Sequence, residues 1–229
     1  MKKQTAKDLI ISTLIDKSRT KQIVYENTIE VFSYLKEALK DICNDYNKQL
    51  KKVDKRLLLE YKDRGAFETE LKVAGDLIIY NMHTNVFEFD KGHGVWKTSY
   101  LKNDALSSYC GVINIYNFLA DSFKYNRVDD LGYLIGRIYI NKERHYFVEG
   151  KRQLGYLYNN FGEEVITKEA VKNVIESSIL YCLDFDLLIP PYDSVKITSV
   201  ANMKENINKS KNQTGKRLGF QFYVDDDKA

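Results

Sequence analysis

Glu149 and Lys151 close the segment GYLIGRIYINKERHYFVEGK (132–151), setting a carboxylate and an ammonium two residues apart. On an extended strand such a pair points to one side. It can bind a polar ligand, help hold a divalent cation or form a plain ion pair. The segment is rich in β-branched and aromatic residues, and Asn141-Lys142-Glu143-Arg144 reads as its turn, so a tight β-hairpin is expected. An even-residue turn pairs even positions of the first strand with odd positions of the second. That register puts Leu134, Gly136, Ile138 and Ile140 on one face with His145, Phe147, Glu149 and Lys151. The apolar face then ends in Glu149 and Lys151, with Gly136 opposite leaving room. Arg137, Tyr139, Arg144 and Tyr146 fall on the other face, where they suit contact with a ligand or partner.

Glu149-Gly150-Lys151 after Tyr146-Phe147-Val148 is similar to the Glu-x-Lys end of the PD-(D/E)xK nuclease core. The resemblance implies acids holding a divalent metal and a lysine that orients water or stabilises charge. It also requires an acid on the preceding strand. The stretch 134–140 has none, Asp129 and Asp130 come too early, and Asp90 must be brought in from another hairpin. Glu149, Lys151 and Asp90 are therefore the catalytic set of an alternative reading, a metal-dependent nuclease or phosphodiesterase. The favoured reading of Glu149 and Lys151 is an ion pair or ligand-facing polar patch.

The remaining chemistry-bearing residues form no further constellation. His83 and His93 flank Glu88 and Asp90, and His145 stands alone, in no recurring metal-ligand spacing. Cys43, Cys110 and Cys182 are odd in number and widely separated, which suggests neither a disulfide framework nor a zinc site and suits a reducing cytoplasm. Gly132, Gly136, Gly150 and Gly155 belong to no phosphate-cradling loop, and no Gly-x-Ser-x-Gly elbow occurs. No metal and no cofactor is expected. The net charge of +3 is too small and too interleaved to favour nucleic acid, although Lys204, Lys209, Lys211, Lys216 and Arg217 give one late loop a positive character.

The elements that must position these residues begin with a helical stretch over the first sixty residues. Its start, MKKQTAKDLIISTLIDKS, reads as an amphipathic helix rather than a signal peptide, because Asp8 and Asp16 interrupt the apolar patch. Phe32, Leu35, Leu39, Ile42 and Tyr46 then alternate steps of three and four, a narrow stripe suited to pairing with a second copy or to packing on its own domain. The helix is expected to continue over 51–62, with Gly65 as a break and a second helical stretch over 67–73. Strands are expected at 77–82 and 86–89, as a hairpin around His83-Thr84-Asn85, and at 95–100. Val112, Ile115, Tyr116, Leu119 and Phe123 fit helical spacing over 111–123. Thr167 is an expected N-cap for a helix buried through Val171, Val174, Ile175, Ile179 and Cys182. Pro190-Pro191 stops further helix, strands follow at 195–200 and 219–224, and 203–217 lies between them as a loop.

These expectations make an α+β protein, a long N-terminal helix followed by a mostly antiparallel sheet of hairpins covered by helices. The order is similar, as a layout alone, to small-molecule sensor domains of the GAF or PAS type. Residues 1–64 are expected as a helical arm that dimerises, and 65–229 as the α+β domain. No apolar run reaches the ~18 residues of a membrane span. The expected function is a non-catalytic cytoplasmic module, homodimeric, that binds a small ligand or a protein partner through Glu149, Lys151, Arg137, Tyr139 and Tyr146.

Overall fold

A computed structural model describes residues 5–151, 153–156, 160–186, 189 and 191–203. Helix runs almost without interruption from residue 6 to residue 53, as α1 (Ala6–Thr13), a π turn at Leu14–Ser18, and α2 (Arg19–Val53). Thr5 and Asp8 close a reciprocal capping box at its start. The stripe on α2 is buried within this same chain. Phe32, Leu35, Leu39 and Ile42 share one core with Ile78, Tyr80, Ile113, Ile115 and Val174. The helix is thus a layer of the domain, and of the two roles open to the stripe these residues take packing on their own domain.

Seven strands follow: β1 (Glu60–Asp63), β2 (Glu68–Val73), β3 (Asp76–Met82), β4 (Phe87–Glu88), β5 (Tyr109–Leu119), β6 (Tyr133–Ile140) and β7 (Tyr146–Gly150). They form an antiparallel sheet in the order β1-β2-β3-β5-β6-β7, with β4 paired to the start of β5. Short helices α3 (Ser99–Asn103), α4 (Ala120–Lys124), α5 (Gln153–Tyr156) and α7 (Tyr192–Val195) punctuate the chain, and α6 (Lys168–Leu183) is the second long one. Thr167 caps α6 through the Ala170 amide at 3.1 Å. None of the described helices is long and apolar enough to cross a membrane. The architecture is α+β.

The sheet has two unequal faces. Ile78, Tyr80 and Met82 lie in register with Asn117, Ile115 and Ile113 on the face that packs against α2 and α6. The Tyr80 hydroxyl meets Ser178 Oγ at 2.7 Å, tying the sheet to α6. On the opposite face Val95 and Leu101 of the segment 89–108 pack with Cys110, Phe147 and Phe161 in a smaller cluster.

Several expected elements take the other secondary structure. Helix stops at Val53, because Asp54 turns extended and caps the Arg56 amide at 2.8 Å, and 60–63 is a strand. Residues 67–73 also alternate with period two: Thr69, Leu71 and Val73 are buried on one side as β2, and Glu70 is held by Arg64 at 2.7 Å. Residues 111–123 form most of β5, a strand flanked by β3 and β6, followed by α4. Both edges of β3 are occupied by β2 and β5, so no hairpin joins 77–82 to 86–89. Residues 94–103 are two short helical turns rather than a strand, and the expected strand at 195–200 is replaced by the end of α7, irregular chain over 196–199 and a helical stretch that starts at 200. The expected strand at 219–224 and the loop from 204 onward lie outside the described residues.

The hairpin at 132–151 forms, with a different register. Ile140 pairs with Tyr146 and Arg137 with Glu149, so the loop is the five residues 141–145. Asn141 makes the difference. Its side-chain oxygen accepts the amides of Glu143 and His145, both at 2.9 Å, and Arg144 takes a left-handed φ of 61°. One added loop residue moves the second strand's side chains to the opposite face.

Gly111 marks the closest approach of α2 to β5, since a Cβ there would sit 1.9 Å from Thr28 Oγ1 and 2.8 Å from Thr28 Cβ. Thr28 is fully buried and its hydroxyl is bound to the Val24 carbonyl at 2.6 Å. Gly111→Ala is therefore expected to cost about 2 kcal/mol through overpacking. Urea unfolding checks this, and the loss should shrink in a Thr28→Ala background.

Candidate functional site

The hairpin register decides which of the singled-out residues meet. Glu149 stands on the outer sheet face with Arg137 and Tyr139, away from the apolar inner face. Its carboxylate accepts the Arg137 guanidinium, with Nε at 2.8 Å, and the Tyr139 hydroxyl at 2.9 Å. Burial, then the bond to Glu149, pushes the Tyr139 phenol well above its ordinary value. Tyr146 is not part of this group. It lies on the inner face, buried in the main core. Lys151 follows β7 at a bend, exposed, with its amide bound to the Ile135 carbonyl at 3.1 Å. Asp90 serves its own turn by accepting the Gly92 amide at 2.8 Å. Arg144 is drawn away to an ion pair with Glu30 of α2.

The histidines are similarly dispersed in role. His83 accepts the Asn85 amide at 3.0 Å, His93 stacks on Phe89 with ring centres 4.9 Å apart, and His145 packs on Tyr100. Among the described residues no group of three or more His, Cys, Asp or Glu side chains is placed to hold a metal ion. The aromatic hairpin region is filled rather than hollow: Tyr139 stacks on Phe147 at 4.7 Å, and Phe89 and Phe161 close over them. What remains exposed there is an Arg137–Glu149 pair, and ion pairs of that kind contribute little.

Open space lies elsewhere. The C-terminal end of α2, the connector to β1, the β2–β3 turn and the second half of α6 surround a cleft of about 420 Å³. Leu50, Leu59, Val73 and Ile179 form apolar wall, and Leu57, Leu180 and Leu183 stand exposed along it. The turn that brings Val73 and Ala74 to the cleft is tight, with Ala74 at a left-handed φ of 50°.

Two polar side chains break this wall. The Tyr46 hydroxyl donates to Glu176 Oε1 at 2.5 Å, and Lys172 lies 3.9 Å from the same oxygen. Burial and the Glu176 carboxylate push the Tyr46 phenol up to about 12, so it remains a proton donor throughout the neutral range. The arrangement can therefore shelter an apolar body while offering a carboxylate acceptor and an ammonium nearby.

Sequence reasoning passed over this cleft. Tyr46 and Ile179 belonged to recognised helical stripes, but Leu57, Leu59, Val73 and Ala74 come from stretches read as helix or break. The one local signal was that the stripe of α2 ends in a tyrosine, an apolar ring with a polar tip. Comparison with protein-family models, curated proteins and solved structures found no match to this chain.

Proposed function

We propose that this protein is a non-catalytic binding module that takes a small apolar molecule with one hydrogen-bonding head group into the cleft between α2 and α6. The observation that carries the reading is an apolar cleft of about 420 Å³ interrupted by a single Tyr46–Glu176 pair. Ligand sites are commonly concave, mostly apolar and marked by a few polar groups that fix orientation, and this volume lies within their usual range. Burying the ligand's apolar body against Leu50, Leu59 and Ile179 supplies the driving force, and Glu176 selects a head group that donates hydrogen bonds. The metal-dependent phosphodiesterase reading has less support, because Glu149 stands with Arg137 and Tyr139, while Asp90 is turned to its own loop and Lys151 lies beyond β7.

Nile red fluorescence tests the site, with n-octanol and octylammonium as competitors. Saturable binding is expected, with octylammonium competing better than octanol. Leu180→Asp, at an exposed position of the wall, is expected to weaken Nile red about tenfold or more. Val128→Asp, at an exposed position outside both the cleft and α1, serves as the control for nonspecific dye binding and should change nothing. Equal affinity in the Leu180 variant, or no saturable binding at all, overturns the proposal.

A further inference from the structure

The first turns of the long helix carry apolar surface that the rest of the chain does not cover. No residue of α1 is buried, and Leu9, Ile10, Ile11, Leu14 and Ile15 are each between 44% and 60% exposed. Ile10 and Leu14 are spaced i, i+4, as are Ile11 and Ile15, so these four form a continuous aliphatic patch. The burial of α2 begins only at Thr20, and Lys17 lies over the Tyr109 ring at 5.4 Å, which makes residues 6–16 an overhang on the domain. Isolated surface leucines are ordinary, but five large aliphatics within seven residues of one overhang are not.

We propose that this overhang is the interface of a homodimer, α1 packing against α1 of a second copy. The patch itself favours it. The four patch side chains, each between 44% and 60% exposed, present a continuous aliphatic surface, and a two-fold pairing would remove it from water on both copies at once. A two-fold contact places the same patch on both sides, which suits a surface that is aliphatic throughout. Charge favours it as well. Over the overhang Lys7 stands against Asp8 and Asp16, so two copies bring little net charge together where they meet. This interface differs from the α2 stripe, whose residues are in the core, and it does not depend on what the cleft binds.

Sedimentation velocity on the full chain, from about 1 to 100 µM, spans the weak affinity an interface of this size would give. A monomer–dimer equilibrium is expected in that range. The double variant Ile10→Glu with Leu14→Glu should be monomeric throughout, with thermal unfolding like that of the parent at concentrations where the parent is monomeric, because these side chains are not part of the core. A chain monomeric at every concentration overturns the proposal. So does a dimer that survives both substitutions, which would place the interface elsewhere. Co-sedimentation of a monomeric chain with phosphatidylglycerol vesicles, lost in the double variant, overturns it in favour of membrane attachment.

Discussion

Leu35→Ala is expected to lower the unfolding free energy by about 3–4 kcal/mol, the middle of the range for large-to-small core substitutions. Leu35 is fully buried in the middle of α2, in the same core as the inner sheet face and α6. The cavity left behind is bounded by a helix and a sheet, neither of which can collapse into it without moving many other contacts. The comparison variant is Val53→Ala at the exposed end of the same helix, expected to change stability by less than about 0.5 kcal/mol. Urea unfolding followed by circular dichroism gives both values. A loss below about 1 kcal/mol for Leu35, joined to a change in association state, would mean that α2 works as a pairing arm after all.

Asp130→Ala is expected to cost about 3 kcal/mol, for an electrostatic reason. Asp130 Oδ2 lies 2.9 Å from Arg127 Nε and accepts the Ser122 hydroxyl at 2.6 Å, and the two charged side chains are only 8% and 4% exposed. The turn that carries them is set by Asn126 at a left-handed φ of 49° and by the Arg127 amide bound to the Ser122 carbonyl at 2.8 Å. Removing the carboxylate keeps a cation in a site that water hardly reaches. Exposed pairs such as Lys168–Glu37 lack that penalty, and Glu37→Ala should shift stability by well under 1 kcal/mol. Replacing both partners, Arg127→Met with Asp130→Leu, should recover most of the loss, since the desolvation cost then vanishes with the pair. Failure of the double variant to improve on Asp130→Ala would show that Arg127 serves the fold through its other contacts.

The parts of the fold legible in the sequence are those whose patterns admit one period. The stripe on α2 and the Thr167-capped helix α6 are such cases, and each lies where the spacing put it. β5 reads as helix because Val112, Ile115, Tyr116 and Leu119 satisfy helical spacing, while Tyr109, Cys110, Ile113 and Phe118 put apolar residues on the other positions too. A strand flanked on both sides within a sheet buries both faces, and so loses the alternation that would identify it. The hairpin was recognised by composition, but its register turned on whether Asn141 belongs to the strand or caps the loop. That choice is made by tertiary contacts: Asn27 of α2 donates to the carbonyls of Asn141 and Lys142, and Asn141 donates to the Tyr100 hydroxyl at 2.8 Å. The cleft was illegible for a related reason. Its walls come from four separate stretches, and no local pattern records that Leu59 faces Ile179 across empty space.

The π turn at Leu14–Ser18 acts as a phase shifter between two stretches of one rod. Its wider i→i+5 bonding takes up an extra residue, and one residue of an α-helix corresponds to about 100° of rotation around the axis. The aliphatic side of α1 is therefore aimed independently of the side that α2 buries, although both belong to a single unbroken helix. Deleting one residue within 14–18 would leave composition and length almost unaltered yet swing the overhang's apolar side by more than a quarter turn. The direction in which this domain presents itself is set by a single surplus residue, which a change of length can reset where a change of side chain cannot.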